Sequence, residues 1–167
     1  LAAVAPAVTG AASLALGDRA AAGTWLSGAF TDLAVAGQGL GAVVVSAAGP
    51  GEPLHVTGDG IAATLDPSDL SWRASVSGLT LPGALAVDVA GEGRAAEGRL
   101  TGRVTGGAEL RADVALDVNL SAGATTVSMA GTLLGGELSV TGRRPAGADW
   151  TGQVALTGAR TPADDPA

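Results

Sequence analysis

The sequence predicts an all-β protein built of successive hairpins, with no substantial helix. Three observations predict it. Apolar and polar residues alternate over long stretches, turn signals rich in Gly and Pro separate those stretches, and no apolar i, i+3, i+4 stripe persists. The clearest alternation runs from Glu109 to Ser121. Leu110, Ala112, Val114, Leu116, Val118 and Leu120 share one parity, while Glu109, Arg111, Asp113, Asp117, Asn119 and Ser121 share the other, and only Ala115 breaks the pattern. Successive side chains of a strand point to opposite faces, so this segment is a ribbon with one apolar and one wet side.

Taken in order, Leu14 and Leu16 open the series as a weak alternating pair. Trp25–Phe30 and Leu33–Val35 differ in parity, which requires a bulge near Thr31-Asp32. Val43–Val45 closes at Gly49-Pro50-Gly51, and Leu54–Thr57 closes at Gly58-Asp59-Gly60. Ile61–Leu65 ends at Asp66-Pro67-Ser68-Asp69, after which Leu70, Trp72, Ala74 and Val76 alternate with Ser71, Arg73, Ser75 and Ser77. Leu85, Val87 and Val89 follow, and Ala90–Gly98 reads as a polar loop. Arg99–Val104, Glu109–Ser121, Thr125–Leu133, Leu138–Val140 and Trp150–Leu156 complete the strands. Residues 1–158 thus read as a single repetitive β segment, and 159–167, with two Pro and two adjacent Asp, as a flexible tail or linker.

Composition bounds the function. The 167 residues hold 27 glycines and 47% hydrophobic residues but only 2% aromatics, so bulk comes from Val and Leu and filler from Ala and Gly. A net charge of −7 disfavours a phosphate-tracking surface, and nucleic acid is not an expected partner. Without cysteine there is neither a disulfide framework nor a thiolate metal site; envelope and cytoplasm both fit. The chain starts at Leu1, and its first residues lack the basic start and unbroken apolar middle of a signal peptide. It is expected to be part of a longer chain whose membrane anchor lies elsewhere, since Gly, Pro and charge interrupt every window of about 20 residues.

Catalytic constellations are missing. His55 is the single histidine, with no second imidazole for a zinc site or a triad. Gly37-Gln-Gly-Leu-Gly41 does not end in the Lys-Ser/Thr of a phosphate loop, and no G-x-S-x-G elbow is present. Asp113 and Asp117 stand four residues apart on an extended strand, about 13 Å, too far to share one calcium ion. Glycoside hydrolysis would need aromatic sugar platforms that this composition does not supply. The expectation is a protein that is not an enzyme and uses no cofactor or metal.

The question is then where the apolar face goes. An outer-membrane barrel would turn it to lipid, but such barrels carry aromatic girdles, and this chain has one Phe and no Tyr. Two readings stay open. The Leu/Val faces of two sheets can meet in a self-packed core, as in a structural β-domain of a surface layer or adhesin. Alternatively, one curved sheet keeps its concave face open as a trough, in which an acyl chain gains about 0.8 kcal/mol for each CH₂ removed from water.

The recurring W-x-G/A-x-V-x-L/G units, Leu70-Ser-Trp-Arg-Ala-Ser-Val-Ser-Gly78 and Asp149-Trp-Thr-Gly-Gln-Val-Ala-Leu-Thr-Gly158, resemble the repetitive middle region of the TamB/AsmA-like bacterial envelope proteins. That resemblance covers most of the chain, although the Trp spacing is irregular. It implies a β-taco or β-helical hydrophobic groove, a periplasmic location in the cell envelope, and an inner-membrane anchor outside this segment. It further implies phospholipid transport or outer-membrane biogenesis, with phospholipid acyl chains, the remaining segments of the same long chain and an outer-membrane barrel protein as partners. The expected groove lining is Leu70, Trp72, Val76, Leu85, Val87, Val89, Leu110, Val114, Leu116, Val118, Leu120, Val127, Met129, Val154 and Leu156.

Overall fold

The computed structural model describes residues 8–17, 23–35, 38–81 and 84–160. It is all-β. Twelve strands, β1 (Val8–Leu16), β2 (Leu26–Val35), β3 (Gln38–Ala47), β4 (Leu54–Gly58), β5 (Ile61–Leu65), β6 (Ser71–Leu81), β7 (Leu85–Arg94), β8 (Glu97–Gly106), β9 (Ala112–Leu120), β10 (Ala124–Leu133), β11 (Gly136–Pro145) and β12 (Thr151–Thr157), form one antiparallel sheet. Strand order follows chain order throughout, as a run of hairpins requires. Packing divides the chain into two compact units, Leu1–Ala74 and Ser75–Ala167.

In the first unit the expected bulge is present. Thr9 pairs with Ala34 and Ala11 with Thr31, so β2 carries one extra residue there, and Asp32 takes a φ of 52°. Asp tolerates this left-handed conformation better than most residues. The Asp66-Pro67-Ser68-Asp69 turn is held by its own side chains. Asp66 Oδ1 accepts from Ser68 N at 2.8 Å and from Ser68 Oγ at 2.6 Å, Asp69 Oδ1 accepts from Ser71 N at 2.8 Å, and Asp66 N donates to the Ser71 carbonyl. Asp59-Gly60 forms the two-residue link between β4 and β5, with Gly58 opposite Ile61.

In the second unit the ladders run without interruption. β7 and β8 pair from Leu85 opposite Gly106 to Arg94 opposite Glu97, joined by Ala95-Ala96. This corrects the expectation of a polar loop over Ala90–Gly98. Gly91 and Gly93 alternate with the exposed Glu92 and Arg94, but a glycine has no side chain to mark its face, so the period of two was hidden. β9 starts at Ala112 instead of Glu109, because Gly107–Leu110 forms a turn closed by Arg111 N to the Gly107 carbonyl at 2.6 Å and Arg111 has a φ of 45°. At the other end, Arg160 N donates to the Leu134 carbonyl at 2.9 Å, and residues 161–167 of the expected tail lie outside the described residues.

Candidate functional site: an apolar sheet face

The registers of the second unit place residues from six strands, β7 to β12, in rows on one face. Val89, Gly102, Leu116, Met129, Val140 and Val154 stand side by side across the ladders. A second row is Gly91, Leu100, Val118, Val127, Gly142 and Gly152, and a third is Val87, Val104, Val114, Gly131, Leu138 and Leu156. No charged residue interrupts any of them. Large side chains repeatedly face glycine: Leu100 opposite Gly91, Leu116 opposite Gly102, Leu138 opposite Gly131. A Cβ on Gly91 would come within 2.8 Å of Leu100 Cγ, so the glycines are the sites into which neighbouring side chains lean. The Trp150 ring likewise lies over Gly142, 3.6 Å from where a Cβ would stand.

This face is only half covered. Among the described residues the buried hydrophobic side chains are Val43, Ala47, Ala112 and Val114, and none is fully enclosed. Val87, Val89, Leu116, Val118, Val127 and Met129 are all of intermediate exposure, whereas Val154 is 74% and Leu156 40% exposed.

The opposite face is ionic. Arg103 Nε and Nη2 each donate to Asp113 at 2.7 Å, and Arg99 Nε donates to the two carboxylate oxygens of Asp117 at 3.2 and 3.1 Å, its Nη2 joining the same group. Arg99 is opposite Asn119 and Arg103 is opposite Ala115, so both bonds run diagonally to the residue two positions earlier on β9. Ala115, the one interruption of the alternation, thereby leaves room for the Arg103 side chain to lie across it. The hydrogen bonds from Arg, more than its charge alone, hold the carboxyls of Asp113 and Asp117 below the usual carboxylate range; the same bonds raise both guanidinium groups. Asp88, opposite Arg103, also accepts from Gly78 N at 2.8 Å.

The expected lining residues fall into three groups. Val87, Val89, Val114, Leu116, Val118, Val127, Met129, Val154 and Leu156 occupy the three rows, and Leu85 and Leu120 extend the same face opposite Gly106 and Gly98. Trp72 and Val76 are half-buried on β6. Leu70 and Leu110 stand outside the strands. Leu70 has a φ of 60° just before β6 and is 51% exposed, and Leu110 sits in the turn before β9 and is 36% exposed. A left-handed residue interrupts the two-residue period, so parity read across it does not assign a face. Leu100, Val104, Leu138 and Val140, together with Gly91, Gly102, Gly131, Gly142 and Gly152, complete the face. Sequence reading did not single them out as lining, although Leu100, Val104, Leu138 and Val140 lie in stretches with strand alternation.

Among the described residues no three or more of His, Cys, Asp and Glu are placed to hold a metal ion, and no helix is long and apolar enough to cross a membrane. No protein-family model, curated protein or solved structure matches the chain.

Proposed function

We propose that the apolar face of β7–β12 accommodates phospholipid acyl chains, as a groove segment of a larger periplasmic, envelope-spanning protein that takes part in phospholipid transport or outer-membrane assembly. The observation that carries this reading is the incomplete burial of an unbroken, uncharged face. At about 4.8 Å per strand, six strands span about 24 Å, longer than the roughly 15 Å that one tail occupies in half of a bilayer core. Valine, leucine and glycine offer contact without hydrogen-bonding groups, so binding would come from desolvation and permit sliding along the face. The resemblance of the Trp72 and Trp150 units to TamB/AsmA-like proteins points the same way. No side chain in the rows has chemistry beyond contact, which supports a non-enzymatic role.

A photo-crosslinking residue at Leu116 or Met129 tests the proposal with phosphatidylethanolamine vesicles. Both positions are partly exposed, whereas Val114 is only 3% exposed and unsuitable as a probe. Lipid adducts are expected at 116 and 129 and not at Asn119 on the ionic face. Intramolecular products alone at both apolar positions would overturn the lipid reading in favour of a self-packed structural domain.

A further inference from the structure

The apolar face of β7–β12 ends in a charge, and from it we infer a recognition site for a phosphate ester: the headgroup phosphate of a glycerophospholipid whose tails lie on that face. The inference rests on the lipid reading and adds to it which end of the lipid is held, and where. Beyond the row of Val127 and Gly142, the registers place a fourth row, Gly93, Gly98, Leu120, Thr125 and Arg144. Arg144 is the one charged residue on this face of the six strands. At the opposite end of the face stand Leu85, Gly106, Ala112, Leu133 and Gly136, without charge or hydroxyl. The face is therefore polar at one end only, as a lipid is.

The other arginines of the ladders show what Arg144 lacks. Arg99 and Arg103 are committed to Asp117 and Asp113 on the ionic face. Arg144 is exposed and has no carboxylate partner among the described residues. Its Nε donates to the Ala148 carbonyl at 3.1 Å, which holds the side chain against the β11–β12 turn and leaves both Nη groups for another acceptor. No acidic residue shares its face, and Glu97, on the opposite face, accepts from Ala122 N at 3.2 Å, so the counter-charge comes from outside these strands. Two Nη donors match two oxygens of a phosphate. Arg144 also borders a cavity of about 170 Å³, together with Ser121, Thr125 and the turn residues Pro145, Ala146 and Gly147. Ala146 N donates to the Gly123 carbonyl at 3.0 Å, tying together the two turns that border it. The Ser121 hydroxyl is already bonded to the Ala124 carbonyl at 2.8 Å, which leaves Thr125, directly opposite Arg144, as the hydroxyl to assist it. From Arg144 to Leu138 the strand covers about 20 Å at roughly 3.4 Å per residue, room for a tail of about 15 Å. The Trp150 ring over Gly142 lies between the charge and the uncharged rows, the position Trp takes at a bilayer surface.

The test keeps the tails constant and varies the headgroup. The chain with a photo-crosslinker at Leu116 is irradiated in dodecylmaltoside micelles holding equal amounts of dioleoylphosphatidylethanolamine and dioleoylglycerol, and mass spectrometry measures the ratio of the two adducts. The phospholipid adduct is expected in about fivefold excess, the factor that one exposed charge-assisted contact supplies. Arg144→Gln should bring the ratio close to unity without changing the circular-dichroism spectrum, Arg144→Lys should keep part of the preference, and Arg103→Gln, on the ionic face, should leave it intact. Equal adducts from the wild-type chain, or an equal loss with Arg103→Gln, would overturn the phosphate site and leave the lipid reading standing. No adduct with either lipid would overturn both. Inorganic phosphate in large excess should not alter the ratio, and loss of the preference in its presence would assign Arg144 to free phosphate instead.

Discussion

β2 and β3 slip register twice within one ladder, between Phe30 and Leu33 and again before Ala34, whereas the four ladders from β7 to β11 pair without a shift. Both regions are rich in Val, Ala and Gly. They differ in what occupies the second face. β1–β3 contain a single charged residue, Asp32, at the bulge itself, while β7–β9 carry Asp88, Glu92, Arg94, Glu97, Arg99, Arg103, Asp113 and Asp117. A one-residue slip of β8 would turn Arg99 and Arg103 onto the apolar face and away from their carboxylates. The same slip in β3 moves no charged side chain. Apolar alternation therefore chooses the face, and charge on the other side makes a wrong register expensive.

Glycine sharpens the contrast, because it serves different ends in the two ladders. A Cβ at Gly102 would stand 2.5 Å from the Asp88 carbonyl oxygen and 2.9 Å from Val89 Cγ2, so Gly102→Val should force β7 and β8 apart and cost about 2–3 kcal/mol. At Gly41, next to the register shift, a Cβ would meet nothing within 4 Å, yet φ is 69°. Gly41→Ala should cost about 1–2 kcal/mol through backbone strain alone. Urea unfolding of both variants checks the ranking. Equal losses would mean that the tight ladder relaxes as readily as the slipped one.

A smaller and opposite effect is expected at the β10–β11 turn, where register is already secure. Leu134 and Gly135 both have positive φ, 54° and 71°, the geometry that Asn-Gly fills without strain. Leu134→Asn should stabilise the protein by about 1 kcal/mol, read as a higher urea midpoint at constant slope. No change would show that contacts of the Leu134 side chain offset its backbone strain.

The same contrast explains what could be read from the sequence. Segments whose two faces differ in chemistry, such as Ala112–Leu120, were legible as strands with a known inward side, and so were turns whose side chains close on their own backbone, as at Asp66–Asp69. The Thr31-Asp32 bulge was legible because parity changed across it. Gly91 and Gly93 read as loop in the sequence because a strand position without a side chain leaves no mark, and nothing in the sequence announces the positive φ at Leu70 and Arg111, where the two-residue period breaks. Face membership of Leu100, Leu138 and their glycine partners is a property of register between strands, which alternation within one strand does not specify.

The ionic side of the comparison makes the smallest prediction. Asp113 and Asp117 titrate below the usual carboxylate range because Arg103 and Arg99 hydrogen-bond their ionised forms. A carboxyl with a depressed folded-state pKa adds stability that is fully present above its unfolded value, about 3.9, and is lost as pH falls through the folded value. The urea-midpoint difference between the wild-type chain and Asp113→Asn with Asp117→Asn should therefore be constant from pH 7 to about pH 5 and shrink below about pH 4. It should be slight even at neutral pH, since both pairs are solvent-exposed and screened. Their larger effect belongs to register. Hydrogen exchange in β8 and β9 of the double variant should rise more than the midpoint falls, because a ladder freed of its diagonal ion pairs gains the slipped arrangements that β2 and β3 already display. Uniform exchange in the variant and the wild type would assign register to the apolar face alone.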